Sequence, residues 1–376
     1  MPSILLVTND FGPRAGGIET FVIGLLERIP RGEVIVYTSS QEGSAPFDQR
    51  WSEEFGVEVI RDRSSILLPT PRVVRNLKKI LKERGITKVW FGAAAPLGLS
   101  SRWLRRSGAD HLVALTHGHE VWWSKVWPFS WLMSEIARSI DVATYLGNFT
   151  KQAIAPRFKN PEKLIKIAPG IDIEHFKPLD SSSLRSELEL NDRPTIISVG
   201  RLVHRKGQDR LVEAMSRIVA ELPDAILVFI GEGPHRKELD RLVAKHNLDK
   251  NVRFIGRIQY FDLPRYIALG DIFAMPSRSR LFGLEVEGLG IVYLEASACG
   301  LPVVGGSSGG APDAVKDGVT GFVVDGNDID QIAERIIHLL RDEELRRKMG
   351  KAGRDWAIEE WRWQRWSNEF NKALKI

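Results

Sequence analysis

Apolar runs of four or five residues, each closed by glycine or a polar tip, alternate with stretches of helical period along the chain. "SILLVTND" opens with a buried strand, Ile4–Val7. A glycine loop around Gly16 and Gly17 follows, and Ile18–Ile29 places apolar residues at helical spacing. Strand, glycine loop and helix in that order begin a doubly wound α/β domain. "EVIVYTS", "KVWFGAAA", "HLVALTHGHE" and "VATYLGN" read as further strands, and "LIKIAPGID" closes the half. At residue 194 the pattern restarts: strand Thr195–Val199, loop Gly200–Gly207, then a helix. "AILVFIGEG", "VRFIGRI", "DIFAMPS" and "LPVVGG" continue it. Two such blocks predict an α/β protein of two doubly wound, Rossmann-like parallel-sheet domains, residues 1–169 and 170–354. The hinge is expected near Pro169–Pro178, and a cleft between the halves is the expected ligand site.

The length of 376 residues fits two cores better than one. A net charge of +5 suits an anionic ligand or surface without choosing between them. Cys299 is the single cysteine, which excludes a disulfide framework and a cysteine-rich metal site and suits the cytoplasm. The N-terminal apolar run is too short for a signal peptide, and no run is long enough to span a bilayer, so membrane contact is expected to be peripheral.

The stretch "EVEGLGIVYLEASACG" places Glu287 and Glu295 eight residues apart. Ile291–Cys299 reads as a helix closed by Gly300, so Leu289, Gly290 and Ile291 stand at its amino end, where free amides bind anionic oxygens. A carboxylate accepts two hydrogen bonds and matches a vicinal diol. Glu287 for a sugar ring and Glu295 for a ribose explain the pair; a solvated loop acid and a surface acid are the alternative. In "GRLVHRKG", Arg201 and Lys206 offer fixed positive charge to a diphosphate, and no Walker motif is present. "RAGGIE" lets Gly16 and Gly17 approach a phosphate or sugar. The dinucleotide fingerprint is missing and the second strand ends in Thr38, Ser39 and Ser40, which argues against a dehydrogenase.

His117 and His119 in "THGHE" lack an evident third metal ligand, and one of them is better read as a hydrogen-bond donor to substrate. Asp328–Asp330 reads as a helix cap rather than a metal motif. In "RVVRNLKKILKER", Val73, Leu77, Ile80 and Leu81 share one face while Arg72, Arg75, Lys78, Lys79 and Lys82 surround it. Such a helix either packs on a sheet with a solvated basic face or lies on an anionic membrane. Trp122 and Trp123, in a tryptophan-rich stretch, favour a half-apolar, half-wet surface and hence a lipid-linked acceptor. Near the C-terminus, Trp366, Phe370 and Leu374 form a stripe read as core.

The pairing of "GRLVHRKG" with Glu287–Glu295, together with "PVVGGSSGGAPDAVKDGVTGFVV", resembles the retaining glycosyltransferases of family 4, and the likeness runs from "GGIE" to the tryptophan-rich tail. The resemblance implies the GT-B arrangement of two Rossmann-like domains facing a cleft, with a terminal helix, residues 355–376, returning to the first. Within the family the chain is most similar to the bacterial branch that mannosylates phosphatidylinositol monomannoside. That implies transfer of mannose from GDP-mannose to a glycolipid in an α-1,6 bond, at the inner face of the cell membrane. It implies no cofactor and no metal, and nucleic acid is not an expected partner. By the same likeness Arg201 and Lys206 hold the diphosphate, Glu287 with the Leu289–Ile291 backbone holds the mannose, and Glu295 holds the ribose. Gly231, Arg257 and Ile258 flank the base, and Gly16 and Gly17 meet the donor phosphate or the acceptor. His117 lies near the sugar, with His119 as the second choice. Leu289 stands where the family usually has an aromatic residue, for which a local packing change is expected. A relative using another nucleotide sugar or a polysaccharide acceptor, and a non-catalytic sugar-nucleotide-binding module, are the alternatives.

Overall fold

The computed structural model describes residues 2–14 and 16–376. The chain divides into two units, Met1–Gly170 with Trp363–Ile376, and Ile171–Arg362. The first holds a seven-stranded sheet: β1 (Ile4–Thr8), β2 (Val34–Thr38), β3 (Glu58–Arg61), β4 (Lys88–Phe91), β5 (His111–Ala114), β6 (Val142–Tyr145) and β7 (Leu164–Lys166). Every pairing is parallel, in the order β3-β2-β1-β4-β5-β6-β7. The second holds β8 (Thr195–Val199), β9 (Ile226–Ile230), β10 (Val252–Gly256), β11 (Ile272–Met275), β12 (Val303–Gly306) and β13 (Gly321–Val324), also parallel, in the order β10-β9-β8-β11-β12-β13. In each sheet the order reverses at the first strand, the switch point where doubly wound folds hold ligands beyond the strand ends.

The central strands β1 and β8 are buried along their whole length, which is why they read as continuous apolar runs. The expected strands stand, and two more join them at sheet edges. β3 is half-buried throughout, and β13 is split between buried and half-buried positions, so neither carries a continuous apolar run. The first helix, Gly17–Leu26, stops three residues short of the expected Ile29. There the Arg28 and Ile29 amides close onto the carbonyls three residues back, at 3.1 and 3.2 Å.

The terminal helix is shorter than expected. Residues 355–360 belong to the preceding helix, Glu343–Glu360, and the last one is Trp363–Leu374. The helix breaks because Trp361 O accepts the Ile171 amide at 2.6 Å while Arg362 bridges Ile171, so the backbone is diverted into pairing. The Trp366–Phe370–Leu374 stripe is core, each residue at most 4% exposed. Phe370 packs edge-on against Trp90 at 4.8 Å. The Ala373 carbonyl meets His111 Nε2 at 2.7 Å, so this helix is built into the first unit.

The basic helix is Pro71–Arg84, capped by Thr70, whose side chain accepts the Val73 amide. Val73, Val74, Leu77, Ile80 and Leu81 are buried, so its apolar face packs on the sheet. Arg72 leaves the outward basic set, because it grips buried Asp62 with two bonds of 2.7 Å. Trp123 is likewise core, 9% exposed, and both it and half-buried Trp122 pack on Phe129 at 5.1 and 4.7 Å. Trp127 and Trp131, 81% and 56% exposed, are the outward tryptophans of that stretch.

Candidate functional site

In the second unit, the loops after β8 and β11 carry Arg201, Lys206 and Glu287, and the loop after β12 packs against them. After β8 the chain runs through Arg201 to a single tight turn, His204–Lys206, and Gly207 then starts the helix Gln208–Glu221. Gly207 has φ +73°, and a Cβ there would stand 1.9 Å from the Pro276 carbonyl oxygen, so only glycine fits. This close approach to the loop after β11 fixes the height of Lys206.

Glu287 and Lys206 meet. Lys206 Nζ lies 2.9 Å from Glu287 Oε2, with Arg205 Nε 3.9 Å from the same oxygen. Lys206 and Glu287 are 9% and 7% exposed. The Glu287 backbone is pinned from the third loop: its amide donates to Ser308 Oγ at 3.2 Å, and its carbonyl accepts the Gly310 amide at 2.8 Å. A Cβ on Gly309 would fall 2.2 Å from that carbonyl oxygen, which explains the glycine pair in "SSGG".

The helix Ile291–Ala298 begins at Gly290, with φ +76°, and seven of its eight residues are buried. Tyr293 anchors it, its hydroxyl donating to the Met275 carbonyl at 2.6 Å and lying 3.0 Å from Ser277 Oγ. Glu295 is one of the buried residues, 8% exposed. Burial pushes its carboxyl up to about 7, against the opposing pull of Lys206. Both acids are therefore buried rather than solvated. Arg201 is exposed and forms no ion pair among the described residues. Gly231 follows β9 with φ +132°, a Cβ there falling 2.2 Å from the Gly200 carbonyl oxygen. Arg257, exposed, and Ile258, half-buried, follow β10. Leu289, at the position where the resemblance places an aromatic residue, is 4% exposed, so its side chain packs inward.

The first unit gathers a second polar cluster past β1 and β5. His117 is 3% exposed, with Nε2 2.8 Å from the Gly92 carbonyl oxygen. Burial, foremost, pulls its pKa below the ordinary value, so the ring is neutral and donates that bond. Its backbone amide donates to Glu120 at 2.8 Å. His119 Nε2 is 3.1 Å from Glu120 Oε1 and 3.1 Å from the Ala95 carbonyl oxygen. Burial alone would lower the His119 pKa, but the Glu120 charge and these contacts raise it to about 9. Burial correspondingly works to raise fully enclosed Glu120, and the neighbouring histidines overcome it, leaving about 2. Asp10 is pushed up to about 6 by burial and by the charge of Glu19. Glu19 Oε1 accepts from Arg14 Nε at 3.0 Å, and Glu19 Oε2 would stand 2.2 Å from a Cβ on Gly16. Gly17 is the first residue of the helix itself.

Asp10, Glu19, Glu120, Tyr293, Ser277 and Ser308 were not singled out by sequence. "SSGG" was a visible signal for Ser308, and "RAGGIE" for Glu19; the others lie in stretches of ordinary polarity. Asp328 caps its helix, accepting the Gln331 amide at 2.9 Å.

A family model described as "Glycosyl transferases group 1" matches residues 180–356, and one described as "Glycosyltransferase Family 4" matches residues 15–175. The chain is 42% identical over 364 residues to a GDP-mannose-dependent alpha-(1-6)-phosphatidylinositol monomannoside mannosyltransferase of Mycolicibacterium smegmatis, covering 96% of this chain and 95% of the relative. It is 41% identical to the corresponding monoacylated phosphatidylinositol monomannoside enzyme of Corynebacterium glutamicum, covering 96% and 94%. Among solved structures, Anabaena HepE in complex with UDP matches over 100% of both chains with a TM-score of 0.85 at 20% identity, a likeness of fold. The chain belongs to the family of group 1, family 4 glycosyltransferases that contains the phosphatidylinositol monomannoside mannosyltransferases.

Proposed function

We propose that the protein moves mannose from GDP-mannose to a phosphatidylinositol mannoside glycolipid, forming an α-1,6 bond. The carrying observation is the buried Lys206–Glu287 contact at 2.9 Å at the end of a parallel sheet, in a chain about two-fifths identical to named mannosyltransferases over almost all its length. In this reading Arg201 and Lys206 take the diphosphate, Glu287 takes mannose hydroxyls beside the Leu289–Ile291 backbone, and Glu295 takes the ribose. Gly231, Arg257 and Ile258 border the base. The first unit holds the acceptor, Gly16 and Gly17 meet the donor phosphate or the acceptor, and His117, with His119 as second choice, lies near the sugar.

Breaking the bond between the mannose anomeric carbon and its phosphate oxygen leaves an electron-poor carbon and a diphosphate. Lys206, Arg201 and the amides at the start of Ile291–Ala298 stabilise the departing charge. Loss of one comparable contact costs roughly 3–4 kcal/mol in the barrier. The acceptor hydroxyl attacks from the face the phosphate leaves, and its proton passes to the departing phosphate oxygen. Configuration at the anomeric carbon is then retained, and fixed cations do the work that a metal does elsewhere.

Among the described residues, no helix is long and apolar enough to cross a membrane. A membrane-resident acceptor is reached in this reading by peripheral contact at the inner face of the cell membrane. Outward Trp127 and Trp131, with Arg75, Lys78, Lys79 and Lys82, supply an apolar and basic surface for that contact. A donor panel tests the reading: GDP-mannose should turn over where UDP- and ADP-sugars do not. Turnover of a UDP-sugar alone would overturn it.

A further inference from the structure

His204, Asp209 and His235 each bring a metal-ligating atom within 4.8 Å of the others. None of the three is needed for the sugar-nucleotide chemistry above. His204 sits in the tight turn that ends in Lys206, Asp209 in the first turn of the following helix, and His235 just before the helix Arg236–Lys245. His235 is 3% exposed, yet among the described residues neither ring nitrogen makes a hydrogen bond; Nε2 has only a long contact to Glu238, and Nδ1 has none. A buried polar group left unmatched costs about 1–3 kcal/mol, so a buried ring without a hydrogen bond at either nitrogen calls for a ligand. The His204 and His235 rings stand 3.7 Å apart between centroids. Two imidazoles that close, with the Asp209 carboxylate beside them, form the kind of donor cluster a cation draws together.

We propose that His204, Asp209 and His235 bind one divalent transition-metal ion of the zinc type. The donor set of two imidazoles and a carboxylate suits zinc, whose bonds of about 2.0–2.2 Å place tetrahedral donors roughly 3.3 Å apart. The three ligands therefore close in by a small side-chain adjustment. Glu238, whose Oε2 is 3.4 Å from His235 Nε2, stands ready as the fourth ligand. Asp209 is oriented by Arg278, which holds its two oxygens at 2.8 and 2.6 Å, as outer-shell donors hold ligating carboxylates elsewhere. Arg278 is also a positive charge beside the ion, so affinity falls below that of a cage built from anions alone. When bound, the ion ties the turn bearing Lys206 to the loop after β9. It acts on the position of Lys206 and takes no part in the transfer.

The test is zinc binding to the chelator-treated full-length protein, by competition with a chromophoric chelator, and visible absorption after cobalt substitution. One equivalent should bind, with the intense bands of four-coordinate cobalt. His204→Ala and His235→Ala should each weaken binding at least tenfold, while His338→Ala, outside the cluster, should not. If His235→Ala fails to fold, the half-buried His204→Ala decides alone. Absence of zinc binding by the unaltered protein, or equal binding by the His204 variant, overturns the proposal.

Discussion

Lys206 and Glu287, eighty-one residues apart in sequence, meet at 2.9 Å with side chains only 11% and 9% exposed. Each neutralises the other's burial. Removing one partner of a buried pair costs about 3–5 kcal/mol, because the other charge is stranded. Lys206→Met should therefore destabilise more than the Lys206→Met/Glu287→Leu double substitution, with a coupling of roughly 1–3 kcal/mol in urea denaturation. Turnover should vanish in Lys206→Met, in Glu287→Leu and in the double variant. Additive stability effects would mean that the contact carries no energy.

Glu295 gives stability a pH slope. Its folded pKa of about 7 lies above the ordinary 4.5, so the folded state holds this proton more tightly than the unfolded one. Its contribution therefore declines as pH rises from 4.5 and has been fully lost above 7. Glu295→Gln should flatten the dependence between about pH 5 and about pH 8 in urea melts, and weaken nucleotide binding at the higher pH. An unchanged slope would place the carboxyl in water.

The His119–Glu120 pair has the opposite signature at each end. His119, raised from 6.5 to about 9, stabilises fully below 6.5 and loses that contribution as pH climbs through 9. Glu120, lowered from 4.5 to about 2, stabilises fully above 4.5 and loses it as pH falls through 2. The destabilisation caused by His119→Ala should thus be greatest between these limits, pH 4.5 to 6.5, and shrink toward pH 9 in thermal melts. A constant difference across that range would rule out the charge pairing.

Membrane contact has its own readout. Trp127→Ala with Trp131→Ala should lower co-sedimentation with anionic phosphatidylinositol vesicles several-fold, as should charge reversal at Arg75, Lys78 and Lys82. Trp123→Ala should instead lower stability, since that ring is core. Vesicle binding unaffected by either surface change would leave the Pro71–Arg84 helix with packing as its only role.

The strands legible in the sequence were those with continuous apolar runs, because a parallel sheet covered on both faces demands them. Edge strands β3 and β13 lack that pressure and were missed. The terminal helix was misplaced because no glycine or proline marks its start; Trp361 and Arg362 leave helical pairing for the distant Ile171. Lys206, Glu287 and Glu295 were legible as types at a spacing. The burial of Glu295 was legible from its apolar neighbours; that of Lys206 and Glu287 was not, since it depends on three loops converging, with Ser308 and Gly309 closing over Glu287. Arg72 and Trp123 show the limit of reading faces from periodicity: one is consumed by Asp62 and the other by Phe129.

The most direct test is incubation of the purified protein with labelled GDP-mannose and phosphatidylinositol monomannoside, with linkage and anomeric analysis of the lipid product. The account predicts one added mannose in an α-1,6 bond, formed without added metal and absent with Lys206→Ala. Label remaining in the nucleotide sugar, or a product with inverted configuration, would contradict it.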